Sequence, residues 1–196
     1  MANVLRERGD WSRATVMCRD MIAEGQAVFV AEGLLGAIHA NEGRLAPARR
    51  LLTSSLAVAA RSDHYNMTVD TTAALARVAA AEGDDAEAAE RCHSVLELWR
   101  DSDDRHYALA PLRWATAYFA GQGDRASAHA CAEALTRMAS ASGHADALAA
   151  LAHAIGETAL LEGDADSAAD QLTRAVELHR DLDMPFERAP SLRAVR

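Results

Sequence analysis

The segment HAIGE contains the pair of side chains in this sequence that is best spaced for chemistry. His153 and Glu157 are four residues apart, so on a helix they lie one turn from each other on the same face. An imidazole and a carboxylate in that arrangement can bind a metal ion or exchange a proton. No third ligand stands at a recognisable spacing. We therefore interpret the pair as an exposed polar contact, and we predict neither a metal nor a cofactor.

The cysteines indicate packing rather than redox chemistry. Cys18, Cys92 and Cys131 are odd in number, far apart, and form no CxxC pair. His93 follows Cys92, and His129 precedes Cys131 by two residues, but such close neighbours on a helix point in different directions. We predict three buried thiols that act as small apolar residues in a reducing compartment.

Aromatic side chains offer a second set of candidate ligand contacts. Four residues fall in predicted loops between helical units: His64, Tyr65, His106 and Tyr107. Loop aromatics can hold a ligand or seal the seam between neighbouring units, and we favour the seam. Trp99 follows the apolar spacing of its helix and Trp11 fills a turn, so both are predicted to pack; Trp114 fits neither pattern.

Charge and composition exclude several classes of function. The formal net charge is −9, with acidic and basic residues interspersed, which argues against direct binding of nucleic acid or of an anionic membrane. The sequence contains no phosphate-binding GxxxxGK[ST] loop and no long apolar segment, and its polar first residues lead us to expect no signal peptide. We predict a cytoplasmic location and no catalytic activity, since the polar residues are spaced as a repeat rather than clustered.

The elements that position these residues follow from an internal repeat. Four glycines recur at intervals of 40 residues: Gly43, Gly83, Gly123 and Gly163. Five residues after each stands an alanine: Ala48, Ala88, Ala128 and Ala168. Twenty residues after each stands an aspartate or a glycine: Asp63, Asp103, Gly143 and Asp183. Such a period is typical of stacked helical units.

Each unit is predicted to contain two helices, because apolar residues recur at helical spacing before and after the glycine. The glycine ends the first helix, and the aspartate that follows, as in Asp84, Asp124 and Asp164, caps the second. The alanine lies where the two helices are expected to approach closely. Pro47 fits the first turn of its helix, and Pro111 is predicted to start or kink another.

The segment GDADSAADQLTRAVEL, with its Gly-Asp turn and Ala168, resembles the tetratricopeptide repeat. The resemblance covers almost the whole chain. It implies an all-α fold: a right-handed α-solenoid of antiparallel helix pairs, with residues 1–196 as a single repeat domain, incomplete at both ends. The 40-residue period exceeds the family's usual length of about 34 residues. Positions that often hold large aromatics in the family are here Leu52, Cys92, Ala132 and Leu172.

The long units and the tail AVELHRDLDMPFERA resemble, more narrowly, the helical arrays of MalT-like, LuxR-type ATP-dependent bacterial transcription regulators. In those proteins the array is a sensor or interaction arm. The resemblance therefore implies a non-catalytic module of a bacterial regulator, with a protein or peptide segment as its partner.

First helices line the concave surface in tetratricopeptide-like arrays, so the resemblance implies an exposed groove at positions two, six and ten before each glycine. The implied partner-binding residues, together with the neighbouring tryptophan, are Asn41, Arg77, Arg113, Trp114, His153 and Glu157. Two arginines among small residues favour a partner helix or peptide with some negative charge.

Two alternatives remain open. The array could instead be a receptor for a small-molecule inducer, with Trp114 or His153 in its pocket. It could also be a free-standing oligomerisation adaptor, in which exposed terminal repeats of two copies stack on each other.

Overall fold

The computed structural model describes residues 1–100 and 106–194, apart from the side chain of Phe186. Within these residues the chain is helical and contains no strand. This confirms the all-α class, which the 3.6-residue apolar period predicts.

Contacts divide the chain into two compact units, residues 1–102 and 103–196. The helices described in the first unit are α1 (Ala2–Glu7), α2 (Trp11–Ala23), α3 (Val28–Asn41), α4 (Leu45–Arg61), α5 (Tyr65–Glu82) and α6 (Asp85–Arg100). Each packs against the next along the chain, and α3 also packs against α5.

The second unit follows the same scheme. A 3-10 turn, His106–Ala108, precedes α7 (Leu109–Gly121), α8 (Arg125–Ser142), α9 (Ala145–Glu162), α10 (Ala165–Asp181) and α11 (Pro185–Ala194). Consecutive helices pack together, and α7 also packs against α9. The grouping of residues 1–196 into a single domain stays a prediction.

The Gly-Asp junctions end and begin helices as the sequence predicts. Gly83 adopts a left-handed φ of 81°, and the next amide, of Asp84, donates to the Ala79 carbonyl at 2.9 Å. The Asp84 carboxylate then accepts from the Glu87 amide at 3.0 Å. Asp124 and Asp164 cap α8 and α10 in the same way. Each junction therefore satisfies backbone groups that the two helix ends leave open.

The positions twenty residues after the repeat glycines also turn the chain. Asp63, Gly143 and Asp183 have positive φ values of 49°, 64° and 54°. Aspartate is among the few residues that enter the left-handed region readily, because its short side chain bonds locally. The recurring Asp or Gly thus marks where second helices end. Asp103 lies outside the described residues.

Close contact between the two helices of one repeat depends on matched side-chain sizes. A Cβ added to Gly156 of α9 would lie 2.6 Å from Cγ of Leu172 in α10. Gly36 occupies the equivalent position of a repeat in the first unit and makes the same contact. A Cβ added to Gly36 would lie 2.7 Å from Cγ of Leu52. The smallest residue thus faces a large one at both places. The same register positions elsewhere hold Ala76 with Cys92 and Thr116 with Ala132.

A polar contact also recurs at the repeat spacing. Nε of Arg49, in α4, donates to Oε2 of Glu82 at the end of α5, over 3.0 Å. Eighty residues further along, Nε2 of His129 in α8 lies 2.8 Å from Oε1 of Glu162 at the end of α9. Both pairs join the second helix of one repeat to the last residue of the next helix. The repeat in the sequence is therefore also a repeat of contacts.

Individual packing predictions are also confirmed. The alanines after the four repeat glycines are buried, with exposures of 0–1%. The three cysteines are buried, and Trp99 is 3% exposed. Pro47 and Pro111 each stand in the first turn of a helix, so Pro111 starts α7 rather than kinking a longer helix. Trp11 is half-buried, and its Nε1 donates to the Arg6 carbonyl at 3.1 Å.

None of the described helices has the length and apolar character needed to cross a membrane.

Gly156→Ala should destabilise the chain by up to about 2 kcal/mol, because the overpacking cost of about 1–3 kcal/mol is offset only in part by the helix-propensity gain of about 1 kcal/mol. The new Cβ would also lie 3.3 Å from the Leu172 backbone nitrogen, which cannot move independently of α10. Urea unfolding followed by circular dichroism measures the change.

Gly121→Ala is the matched control, since a Cβ there meets no atom within 4 Å and should raise stability slightly. In a Leu172→Ala background the penalty of Gly156→Ala should be smaller, because the opposing side chain is gone and only the 3.3 Å contact with the backbone nitrogen remains. An equal penalty in both backgrounds would contradict the size-matching argument.

Candidate functional site

Six polar side chains from four helices come together in the second unit. They are Arg113 of α7, His153 and Glu157 of α9, His179 of α10, and Glu187 and Ser191 of α11. Three of the predicted groove residues, Arg113, His153 and Glu157, are therefore neighbours. We call these six residues the α11 cluster, because α11 supplies the bonding partners of Arg113 and His153.

The repeat explains why Arg113 and His153 are neighbours. Each stands ten residues before a repeat glycine, so each occupies the same turn of a first helix. Because α7 packs against α9, equivalent positions on the two helices lie side by side. In the first unit this register position holds Gly33 and Ala73, which are apolar and buried.

Hydrogen bonds and ion pairs connect the cluster across helices. Nη2 of Arg113 pairs with Oε2 of Glu187. Nδ1 of His153 lies 2.8 Å from the Ser191 hydroxyl, and its Nε2 lies 3.4 Å from Oε1 of Glu157. A neutral imidazole suits both neighbours when Nε2–H points at the carboxylate and Nδ1 accepts from the hydroxyl. The geometry thus binds α11 to α7 and α9 through polar groups.

Burial keeps both histidines uncharged. Desolvation, with the Arg113 charge and His179 adding to it, lowers the pKa of His153 to about 3. Desolvation and the Arg113 charge also lower the pKa of His179 to about 4, although Glu187 and a backbone contact at Ala175 oppose the shift. At neutral pH the guanidinium is therefore the cluster's buried cation.

Glu157 shows the opposite response to the same surroundings. Burial raises the pKa of its carboxyl, and the nearby Arg113 charge opposes part of that rise. The carboxylate that pairs directly with Arg113 is Glu187, so Glu157 is secondary in balancing the buried charge.

The expected groove exposure is wrong for two residues. Arg113 is 6% exposed and His153 is 1% exposed, so neither presents its side chain on an open surface. The interpretation of His153 and Glu157 as an exposed pair fails for the same reason. Glu187 and Ser191 of α11 bind to the two side chains that the resemblance places in the groove.

The other predicted groove residues are only partly accessible. Asn41 ends α3 and Arg77 lies in α5, both half-buried in the first unit. Trp114 is half-buried on α7 and stacks on Tyr118, with ring centroids 5.3 Å apart and an interplanar angle of 12°. The structure groups Arg113, His153 and Glu157 into one cluster, and their partner-binding role stays a prediction.

The predicted loop aromatics divide between packing and exposure. His64 packs edge-on against Phe29, with ring centroids 5.3 Å apart, which supports the seam interpretation there. Tyr65 lies in the first turn of α5 rather than in a loop. His106 lies 3.4 Å from Asp146, and Tyr107 is 43% exposed.

Sequence reasoning missed Glu187, Ser191 and His179 as members of the α11 cluster. The missed signal is the four-residue interval between Glu187 and Ser191, which puts a carboxylate and a hydroxyl on one face of a helix. Their partners are 74 and 38 residues away, and no local pattern predicts those distances.

In the part of the chain that the structure describes, no three His, Cys, Asp or Glu residues are grouped to hold a metal ion. No protein-family model matches the chain, and no curated protein matches it significantly.

Acid should destabilise the fold through His153 and His179. Their pKa values are lower in the folded chain than the ordinary value of 6.5. Below that pH the unfolded chain therefore binds more protons, which stabilises it relative to the folded chain. The stabilisation is complete above about pH 6.5 and falls by up to about 1.4 kcal/mol per pH unit for each buried histidine. Glu157 acts in the opposite sense and offsets part of this loss.

Urea unfolding from pH 7 to pH 4 tests this expectation. His153→Gln keeps a hydrogen-bonding side chain without a titratable ring, so it should reduce the slope of stability against pH. Exposed His144→Gln is the matched control in the same unit. If His153→Gln leaves the slope of stability against pH unaltered, protonation of this imidazole does not contribute to the pH dependence of folding stability.

Proposed function

We propose that the chain is a non-catalytic protein-interaction module built as a right-handed solenoid of antiparallel helix pairs. The observation that carries the proposal is the recurrence of contacts in register with the sequence. Gly36–Leu52 and Gly156–Leu172 repeat at 120 residues, and Arg49–Glu82 and His129–Glu162 repeat at 80. Stacked repeats offer an extended surface for a partner segment.

The polar groups of the α11 cluster are enclosed by the protein, and this enclosure supports a binding role rather than a catalytic one. The buried imidazole of His153 is bonded within the protein, and Arg113 already has a carboxylate partner. A general base needs access to the proton that it removes. With 1% exposure, His153 offers a substrate no such access in this arrangement.

The resemblance to LuxR-type regulators places the proposal in a wider context. The module would act as an interaction or sensor arm of a cytoplasmic bacterial transcription regulator, with the nucleotide-binding and DNA-binding functions located in other parts of that regulator. An antibody against the chain would test this on a denaturing gel of source-cell lysate. A band much heavier than 20.9 kDa supports the arm, and a band at that mass contradicts it.

Trp114 is the best candidate anchor for a partner in the second unit. It combines a large aromatic ring with partial exposure, and such residues often dominate binding energy. We expect Trp114→Ala to reduce capture of the main partner from source-cell lysate by about tenfold or more, because losing a hot-spot side chain costs about 2 kcal/mol. Quantitative mass spectrometry of proteins retained on the immobilised chain measures this.

Leu160→Ala, which truncates a side chain that is 44% exposed in the same unit, is the control. Melting curves of both variants must show that they fold. If Trp114→Ala and Leu160→Ala retain the same proteins in the same amounts, Trp114 does not contact a partner.

Self-association is a second candidate, favoured by where apolar side chains are exposed. Of the six exposed large hydrophobic residues described, three belong to the terminal segments: Met1 at 83%, Val4 at 44% and Leu192 at 37%. Burying them between two copies would give a modest hydrophobic gain. We expect a mass that rises with concentration in light scattering, and Val4→Ser with Leu192→Ser should abolish that rise. Val16→Ser, at a 58% exposed site in α2, is the control.

A further inference from the structure

The strongest unassigned feature is the manner in which α11 is held. Glu187 and Ser191 stand four residues apart, so they share one face of α11. That face reaches Arg113 on α7 and His153 on α9. Arg113 and His153 occupy equivalent positions on two neighbouring first helices. Together they bind residues i and i+4 of a third helix.

Helix α11 contains a residue that weakens it as an isolated helix. It packs on α10, and its polar contacts with α7 and α9 are made by the side chains of Glu187 and Ser191. Its described part contains an internal proline, Pro190. A proline inside a helix costs about 3 kcal/mol, so α11 depends on its tertiary contacts.

Departure of α11 would leave a specific binding site. Arg113 would lose its direct carboxylate partner and His153 its hydroxyl. A helix that buries the Arg113 guanidinium again must supply a replacement carboxylate, because a buried charge without a partner is costly. A second helix with the same spacing, but without an internal proline, would restore both contacts at lower conformational cost.

We propose that the surface formed by α7, α9 and α10 is a docking site for a helix of a partner protein that carries a carboxylate and, four residues later, a hydroxyl. In the free chain α11 occupies this site. The partner helix displaces α11 by pairing its carboxylate with Arg113 and its hydroxyl with His153. This inference rests on the proposed interaction function and specifies the chemistry of the partner.

A peptide derived from α11 provides a direct probe. The probe is a fluorescein-labelled peptide of residues 184–194 with Pro190→Ala, and its matched control also carries Glu187→Gln and Ser191→Ala. Each is titrated into the full chain, and fluorescence anisotropy reports binding. We expect saturable binding of the probe and none of the control at the same concentrations.

Weakening the resident helix should improve binding. In a full chain with Glu187→Gln, α11 leaves the site more often, and apparent affinity rises with the fraction of open sites. We expect the probe to bind this variant about tenfold more tightly than the unmodified chain. If that variant does not fold by circular dichroism, a Ser191→Ala chain replaces it with the same expectation.

Hydrogen exchange locates the event. Addition of the probe to the unmodified chain should accelerate exchange of the α11 amides while leaving those of α10 protected. Equal binding of probe and control, no binding to the loosened chain, or unchanged α11 exchange would each overturn the displacement proposal. If the probe fails while Trp114-dependent capture persists, the interaction function stands and only this docking site is excluded.

Discussion

The close approach of paired helices is the constraint on which the other contacts depend. A glycine on the first helix of a pair lets the second helix come near enough for a leucine side chain to fill the space, as at Gly156 and Leu172. With that approach fixed, a spacing of 40 residues returns each helix to the same environment. Positive φ at the turns and aspartate caps then hold each junction at a constant length.

The same scaffold position carries different chemistry in the two units. Ten residues before the glycine, the first unit has Gly33, where an added Cβ would lie 2.7 Å from the Ser55 hydroxyl. The second unit has Arg113 and His153, which are also buried but need polar partners. Burying a guanidinium without a partner costs several kcal/mol. The second unit therefore needs the polar side chains of α11, whereas Gly33 in the first unit needs no polar partner.

The sequence predicts contacts that lie within one repeat and fails for those supplied from outside it. Glycine, aspartate and alanine spacing predicts the helix junctions, caps and small buried residues, because each depends on neighbours within a few residues. The exposed-groove expectation failed at Arg113 and His153 because their burial depends on α11, which is distant in sequence. A repeat register states which positions are equivalent, but it does not state which of them a later helix covers.

The polar character of the α11 cluster contributes more to selectivity than to stability. A buried ion pair often adds little net free energy over well-packed apolar residues, but removing one partner is costly. Leucines at positions 113 and 153 would accept many apolar helices, whereas Arg113 and His153 discriminate against any helix that lacks a carboxylate and a suitably spaced hydroxyl. The exposures of 6% and 1% strengthen this discrimination, because water cannot readily replace a missing partner. A helix with an internal proline can hold such a site in the free chain, since its specific contacts offset the cost of that proline.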